Sequence, residues 1–242
     1  MVNILHSSND HLVVIFLCTY NGEKFLSAQL NSIMEQTHKS WIILASDDGS
    51  TDLTLQILYE YQKKWSSDRI IIKQGPGKGY SQNFLSLVSS CKIGADYYAF
   101  CDQDDVWKPD KLKVAVNNLC LNQIDDQPYL YCGRSIYVFD DLTPIALSPL
   151  KKYSAAFENA LVENIAGGNT MLFNQATKNI LEKVGLVDVV SHDWWIYILV
   201  TGVGGNVFYD PEPHILYRQH SKSVIGSGYH FIGRIKRIYA TF

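Results

Sequence analysis

Three of the four residues from Asp102 to Asp105 in the stretch FCDQDDVW (100–107) are aspartates, and they follow an aromatic, strand-like approach. Carboxylates packed this closely repel and raise one another's pKa, so the arrangement is costly unless positive charge lies between them. A divalent cation is the natural counter-charge. Two further polar clusters, TYNGE (19–23) and SDDGSTD (46–52), also follow apolar runs. Taken singly, a stretch such as DDGS is ordinary turn and helix-cap composition. Later in the chain, AGGNTMLFN (166–174), SHDWWIYIL (191–199) and YRQHSKSVIG (217–226) combine glycines, an acid, paired tryptophans and cations. Gly167 and Gly168 either allow close backbone approach to a ligand or mark a bulge. Asp193 at a helix start is by residue type a capping carboxylate.

The elements that must position these residues follow from hydrophobic period. LVVIFLC (12–18) is a continuous apolar run, hence a buried strand, and GEKFLSAQLNSIMEQ (22–36) places Phe25, Leu26, Leu30, Ile33 and Met34 on one helical face. WIILAS predicts a second strand, and SDDGSTD caps a helix whose buried stripe is Leu53, Leu55, Ile57, Leu58 and Tyr61. RIIIK, NFLSLVSS and DYYAFCD continue as strand, helix and strand. This βαβαβαβ order predicts an α/β fold with a mostly parallel sheet and helices on both faces. In such sheets ligands sit beyond the carboxyl ends of the strands, and all three early clusters fall there. YLYCGRSIYVFD predicts one or two strands, the polar stretch 140–154 a loop over the site, and SHDWWIYIL the start of a helix.

Composition narrows the function classes. The chain has 242 residues, 47% hydrophobic and 19% charged, which suits one large α/β domain or two small ones. A net charge of -3 argues against a surface built for nucleic acid. The five cysteines (Cys18, Cys91, Cys101, Cys120 and Cys132) include no C-x-x-C pair and read as buried thiols in a reducing cytoplasm. No secretory signal is visible, and the longest apolar runs fall short of a membrane span. The terminal YHFIGRIKRIYATF (229–242) interleaves apolar residues at helical spacing with Arg234, Lys236 and Arg237. It reads either as a helix on an anionic membrane surface or as a solvated helix packed on the domain.

TYNGEKFLSAQLNSIMEQT, SDDGSTD and FCDQDDVWKPDKL together resemble the nucleotide-binding half of the family 2 glycosyltransferases, which have the Rossmann-like GT-A fold. DQDDVW, HDWW and YRQH bring the chain nearest to the bacterial rhamnosyltransferases of polysaccharide and O-antigen assembly. The resemblance covers roughly residues 11–226 and implies a single domain, with a nucleotide-sugar half (11–107), an acceptor half (108–226) and the basic tail (229–242). It implies that Thr19, Tyr20 and Asn21 line the base pocket and that Glu23 sits near the ribose. Asp47, or next to it Asp48, would accept the N3 proton of uracil or thymine.

Asp102 and Asp104 would form the D-x-D pair that holds Mn²⁺ or Mg²⁺ on the donor diphosphate, with Asp105 capping the turn toward Trp107. His220 is a candidate third metal ligand, and Arg218 and Lys222 are candidates to neutralise the leaving diphosphate. Asp193 would be the general base, with Gly168, Asn169 and one of Trp194 and Trp195 toward the acceptor. The implied reaction is an inverting transfer from a dTDP- or UDP-sugar to a glycan, often lipid-linked, at the cytoplasmic face of the inner membrane. No Q-x-x-R-W signature of processive synthases is evident. A nucleotidyltransferase would want a glycine-rich, lysine-bearing loop where CTYNGEKF stands, and a non-catalytic binding module would not need HDWW.

Overall fold

All seven residues of Val13–Thr19 are buried, which is what a continuous apolar run does when both faces of its sheet are covered. The computed structural model describes residues 11–122, 124, 126–151 and 154–219. Its first half runs β1 (Val13–Thr19), α1 (Leu26–Met34), β2 (Trp41–Asp47), α2 (Thr54–Trp65), β3 (Ile70–Gln74), α3 (Tyr80–Ser90) and β4 (Tyr97–Asp102). The second half adds β5 (Val106–Trp107), α4 (Lys111–Asn122), β6 (Tyr129–Gly133), β7 (Ile136–Val138), β8 (Pro144–Leu147) and α5 (Phe157–Ala160). After a 3-10 turn at Gly168–Thr170 come β9 (Leu172–Asn174), α6 (Gln175–Val184), α7 (His192–Gly202), β10 (Asn206–Asp210) and β11 (Ile215–Arg218).

A seven-stranded sheet has the order β10-β6-β9-β4-β1-β2-β3 and contains strands from both halves of the chain. Its pairings are parallel except where β9 lies antiparallel to β4 and β6. A four-stranded sheet, β5-β11-β7-β8, stands beside it. Alternation along β1 divides the core. Val13, Ile15 and Leu17 pack with Leu26, Leu30 and Ile33 of α1, Leu58 of α2 and Leu112 and Val116 of α4. Val14, Phe16 and Cys18 pack with Phe84 and Val88 of α3, Leu181 of α6 and Ile196 and Val200 of α7. Each such side chain, fully buried, contributes roughly 1.5–3 kcal/mol.

Several expectations change in the three-dimensional arrangement. The first helix begins at Leu26, because residues 22–25 are used to turn out of β1. Met34 and Leu53 are exposed, Leu53 lying just ahead of α2, where the chain still follows the turn. The stretch 140–154 is not only loop: β8 pairs antiparallel with β7, as a mostly exposed edge strand. Cys120, on the outer side of α4, is exposed, whereas the other four cysteines are buried.

Candidate active site

Parallel, in-register pairing brings the early clusters together. Thr19 stands opposite Asp47 and Cys18 opposite Asp102, so β1, β2 and β4 deliver their polar ends to one edge of the sheet. The β2 turn is closed by Asp47, whose Oδ1 accepts from Thr19 Oγ1 (2.9 Å) and Ser50 Oγ (2.6 Å), and whose Oδ2 accepts from the amides of Gly49 (3.2 Å) and Ser50 (2.8 Å). Four donors fill this carboxylate, so its chemistry is spent on the turn. Thr19 is 2% exposed, with its hydroxyl bonded to Asp47. Asp48 is half-buried and accepts one amide on each oxygen, Gly77 N (2.7 Å) and Gly79 N (2.8 Å), which latches the loop after β3 onto the β2 turn.

The β1 loop is laced to the same turn. Asn21, in the left-handed region at φ 48°, accepts from Thr51 N (2.9 Å) and donates its own amide to Ser50 Oγ (2.8 Å). Glu23 accepts from Leu53 N (2.9 Å) at the start of α2, and its amide donates to Asp52 (3.1 Å), so it ties two loops together. Tyr20 leaves its ring 57% exposed at the rim.

At the end of β4, Asp102 and Asp104 are half-buried and Asp105 is fully buried. Burial pushes the Asp102 carboxyl up to about 8, with the charges of Asp104 and Asp193 adding to it. Asp105 is also raised, first by burial and then by Asp104 and Asp102. It does not cap the turn toward Trp107. Its Oδ2 accepts from Asn169 Nδ2 (2.7 Å) and its Oδ1 from the Arg218 amide (3.2 Å), which joins β4, the 3-10 turn and β11. Asn169 is 6% exposed, with its amide nitrogen held by Asp105. Arg218 is held at the same cluster. At 3% exposure, its Nε donates to the Asp104 carbonyl (2.7 Å), its Nη1 to the Asp140 carbonyl, and its guanidinium lies 4.6 Å from the Phe25 ring centre. Those bonds clamp the turn that bears the aspartates.

The start of α7 reaches this cluster from the other half of the chain. Ser191 is the N-cap residue, and its hydroxyl donates to Asp193 Oδ1. Asp193, 6% exposed, also accepts from Trp194 N on Oδ1 (2.7 Å) and from Gly168 N on Oδ2 (2.9 Å). Gly168 permits that approach, because a Cβ there would meet His192 Nε2 at 2.8 Å and Asp193 Cβ at 3.3 Å. Trp194 donates its indole N–H to the Ala160 carbonyl (2.7 Å) and packs on the core, whereas Trp195 is half-buried outside both core clusters. A surface cavity of about 250 Å³ beside His11, Asp96 and Asn174 lies at the amino ends of the strands, remote from these carboxylates. His220, Lys222 and the basic tail lie outside the described residues. Sequence reasoning missed Gln103, whose amide is bound to Tyr20, because no periodicity marks a contact spanning 83 residues.

A family profile described as "Glycosyl transferase family 2" matches residues 14–181. The dTDP-rhamnosyl transferase RfbG of Shigella flexneri is 30% identical over 230 residues, covering 92% of this chain and 78% of that protein. Among solved structures, S. aureus TarS 1-349 in complex with UDP-GlcNAc superposes with a TM-score of 0.61 at 18% identity, covering 95% of this chain and 66% of that one. The mannosyltransferase PcManGT from Pyrobaculum calidifontis, in complex with GDP-Man and Mn2+, gives 0.67 at 17% identity, covering 95% and 62%. The chain thus spans less than two thirds of the length of these solved chains.

Proposed function

The chain belongs to glycosyl transferase family 2 and has the GT-A fold, and we propose that it moves a sugar, with rhamnose the first candidate, from a nucleoside diphosphate to a glycan acceptor with inversion. The observation that carries this reading is the convergence of Asp193 with the aspartates of β4 on adjacent residues of one 3-10 turn, where Gly168 N donates to Asp193 and Asn169 Nδ2 to Asp105. Rhamnose and a dTDP donor rest on the likeness to RfbG.

In this reading Asp48 takes the base role, since Asp47 has no acceptor site left, and the exposed Tyr20 ring lies against the base. Among the described residues no three His, Cys, Asp or Glu side chains form a ready-made metal cage. The Asp102–Asp104 pair instead fits Mg²⁺ or Mn²⁺ held by one or two carboxylates and completed by substrate phosphates, a counter-charge that would offset the burial and the charge crowding that raise Asp102. When bound, such a cation supplies charge stabilisation for the departing diphosphate. Asp193 removes the proton of an acceptor hydroxyl. The oxygen then bonds to the anomeric carbon as the bond to the diphosphate oxygen breaks on the opposite face, with no covalent enzyme intermediate. The three donors on Asp193 hold its carboxylate in place for that transfer. Trp195 is the aromatic left for the acceptor side. Lys222 and His220 keep their expected diphosphate and metal roles from sequence alone, and a lipid-linked acceptor at the cytoplasmic membrane face would suit the basic tail.

The test is a transfer screen with Mn²⁺ across dTDP-rhamnose, UDP-glucose, UDP-galactose and the N-acetyl forms, in which one donor stands apart. Asp193→Asn should lose transfer by at least about 10²-fold while still showing a thermal shift with that donor. Chelation should abolish transfer, and Mn²⁺ or Mg²⁺ should restore it. Undiminished transfer by Asp193→Asn, or in chelator, removes the corresponding role.

A further inference from the structure

Gln103 stands between the two aspartates assigned to the cation, yet its side chain is directed at another loop. Its Oε1 accepts the Tyr20 amide (2.9 Å) and its Nε2 donates to the Tyr20 carbonyl (2.9 Å). One primary amide thus satisfies both main-chain groups of the residue whose ring rims the base pocket. The packing around it is specific, since a Cβ on Gly22 would overlap the Gln103 amide. The neighbouring loop residues are fastened elsewhere, Asn21 to Ser50 and Thr51, and the Gly22 amide to Thr54 Oγ1 (2.8 Å). On the other side, the turn is held by Arg218 at the Asp104 carbonyl and by Asn169 at Asp105. The Gln103–Tyr20 pair closes the circuit between the two loops.

From this we infer that Gln103 is a positioning residue that couples recognition of the donor base to binding of its diphosphate; the inference rests on the donor reading above. Ordering either loop orders the other through the paired amides, so each half of the donor binds more tightly when the other is engaged, and the coupling is reciprocal. The residue type follows from the chemistry. Glutamate at 103 could accept from the Tyr20 amide but would face its carbonyl with a second acceptor and add charge beside Asp102 and Asp104. Asparagine is one methylene shorter.

The test compares the parent, Gln103→Ala, Gly22→Ala and the double variant, each checked for a parental melting transition. Calorimetry with dTDP, UDP and GDP gives the base preference, and Mn²⁺ titration at fixed nucleotide gives half-saturation. Both single variants should lose about tenfold in base preference, within the usual range of coupling factors, and should also need several-fold more Mn²⁺. Although Gly22 touches no nucleotide in this reading, its added methyl displaces the Gln103 amide, so the double variant should be no worse than Gln103→Ala alone. Unchanged Mn²⁺ half-saturation in both single variants, or losses that add in the double variant, overturns the coupling. A parent that binds none of the three nucleotides overturns the donor reading and the coupling with it, whereas normal parent binding with unaltered variants overturns the coupling alone.

Discussion

His192, next to the candidate base, is buried with neither ring nitrogen hydrogen-bonded among the described residues. It stacks on Phe84 at 4.2 Å between ring centres and meets Phe100 edge-on at 4.9 Å. Burial pushes its imidazole down to about 4, against a smaller upward pull from Asp193, and the Tyr80 ring meets it edge-on at 5.9 Å between ring centres. The unfolded chain takes up a proton near 6.5 that the folded chain refuses until about 4. The resulting stability is therefore full above pH 6.5 and is lost as pH falls toward 4, roughly 3 kcal/mol in all. His192→Phe should flatten the decline of denaturation midpoint over that window, and parallel parent and variant curves would refute this account. Arg218 is a second residue whose surroundings define it. Arg218→Lys loses the fork whose Nε donates to the Asp104 carbonyl and whose Nη1 donates to the Asp140 carbonyl, and hydrogen bonds to a charged group are worth about 1.5–3 kcal/mol. Transfer should fall by about tenfold to a hundredfold, and a parental rate would mean that the clamp is irrelevant to the turn.

Among the elements, the loop after β3 is held by the β2 turn, beginning with the Gly75 amide on the Asp47 carbonyl (2.7 Å). Its amides at Gly77 and Gly79 are held by Asp48, and both glycines have positive φ, 68° and 87°, which side chains rarely adopt. Asp48→Ala removes both bonds from an exposed segment and leaves the core untouched. Amide exchange at residues 75–79 should accelerate and donor KM should rise several-fold, while the global melting midpoint moves little. A large drop in midpoint with unchanged KM would make Asp48 a scaffold residue only. The second sheet works by a related device: the turn after β7 carries Asp140, whose carboxylate pairs with Lys24 and whose carbonyl takes Arg218, so that turn is tied to the start of α1, where the guanidinium lies over the Phe25 ring.

For the molecule as a whole, the proposal of a lipid-linked acceptor makes contact with a membrane surface testable. No helix among the described residues is long and apolar enough to cross a membrane. The basic and apolar residues of 229–242 lie outside the described region, and their sequence supports a surface contact in which Arg234, Lys236 and Arg237 add about 1 kcal/mol each near anionic lipid. The protein should sediment with anionic vesicles, less so in high salt, and replacing these three residues with glutamate should release it without changing transfer to a soluble acceptor analogue. Sedimentation indifferent to charge reversal and salt would identify an ordinary packed helix.

The succession β1 to β4 was legible because parallel strands covered on both faces must be apolar throughout, and the helices between them must be apolar along one stripe. Chain order then put TYNGE, SDDGSTD and CDQDD at one edge, since successive parallel strands all end on the same side. Short edge strands escape such reasoning: β8 is largely exposed and only four residues long, so no burial pattern marks it. Nor does residue type tell which carboxylate faces a ligand. Asp47 and Asp48 are neighbours of identical chemistry, and only the folded turn gives the first four donors and the second two. Arg218 and Gln103 likewise meet partners 114 and 83 residues away. Hydrophobic burial is written locally, in a period that the chain repeats every few residues, whereas the pairing of a polar group depends on which distant segment the finished fold sets within 3 Å of it.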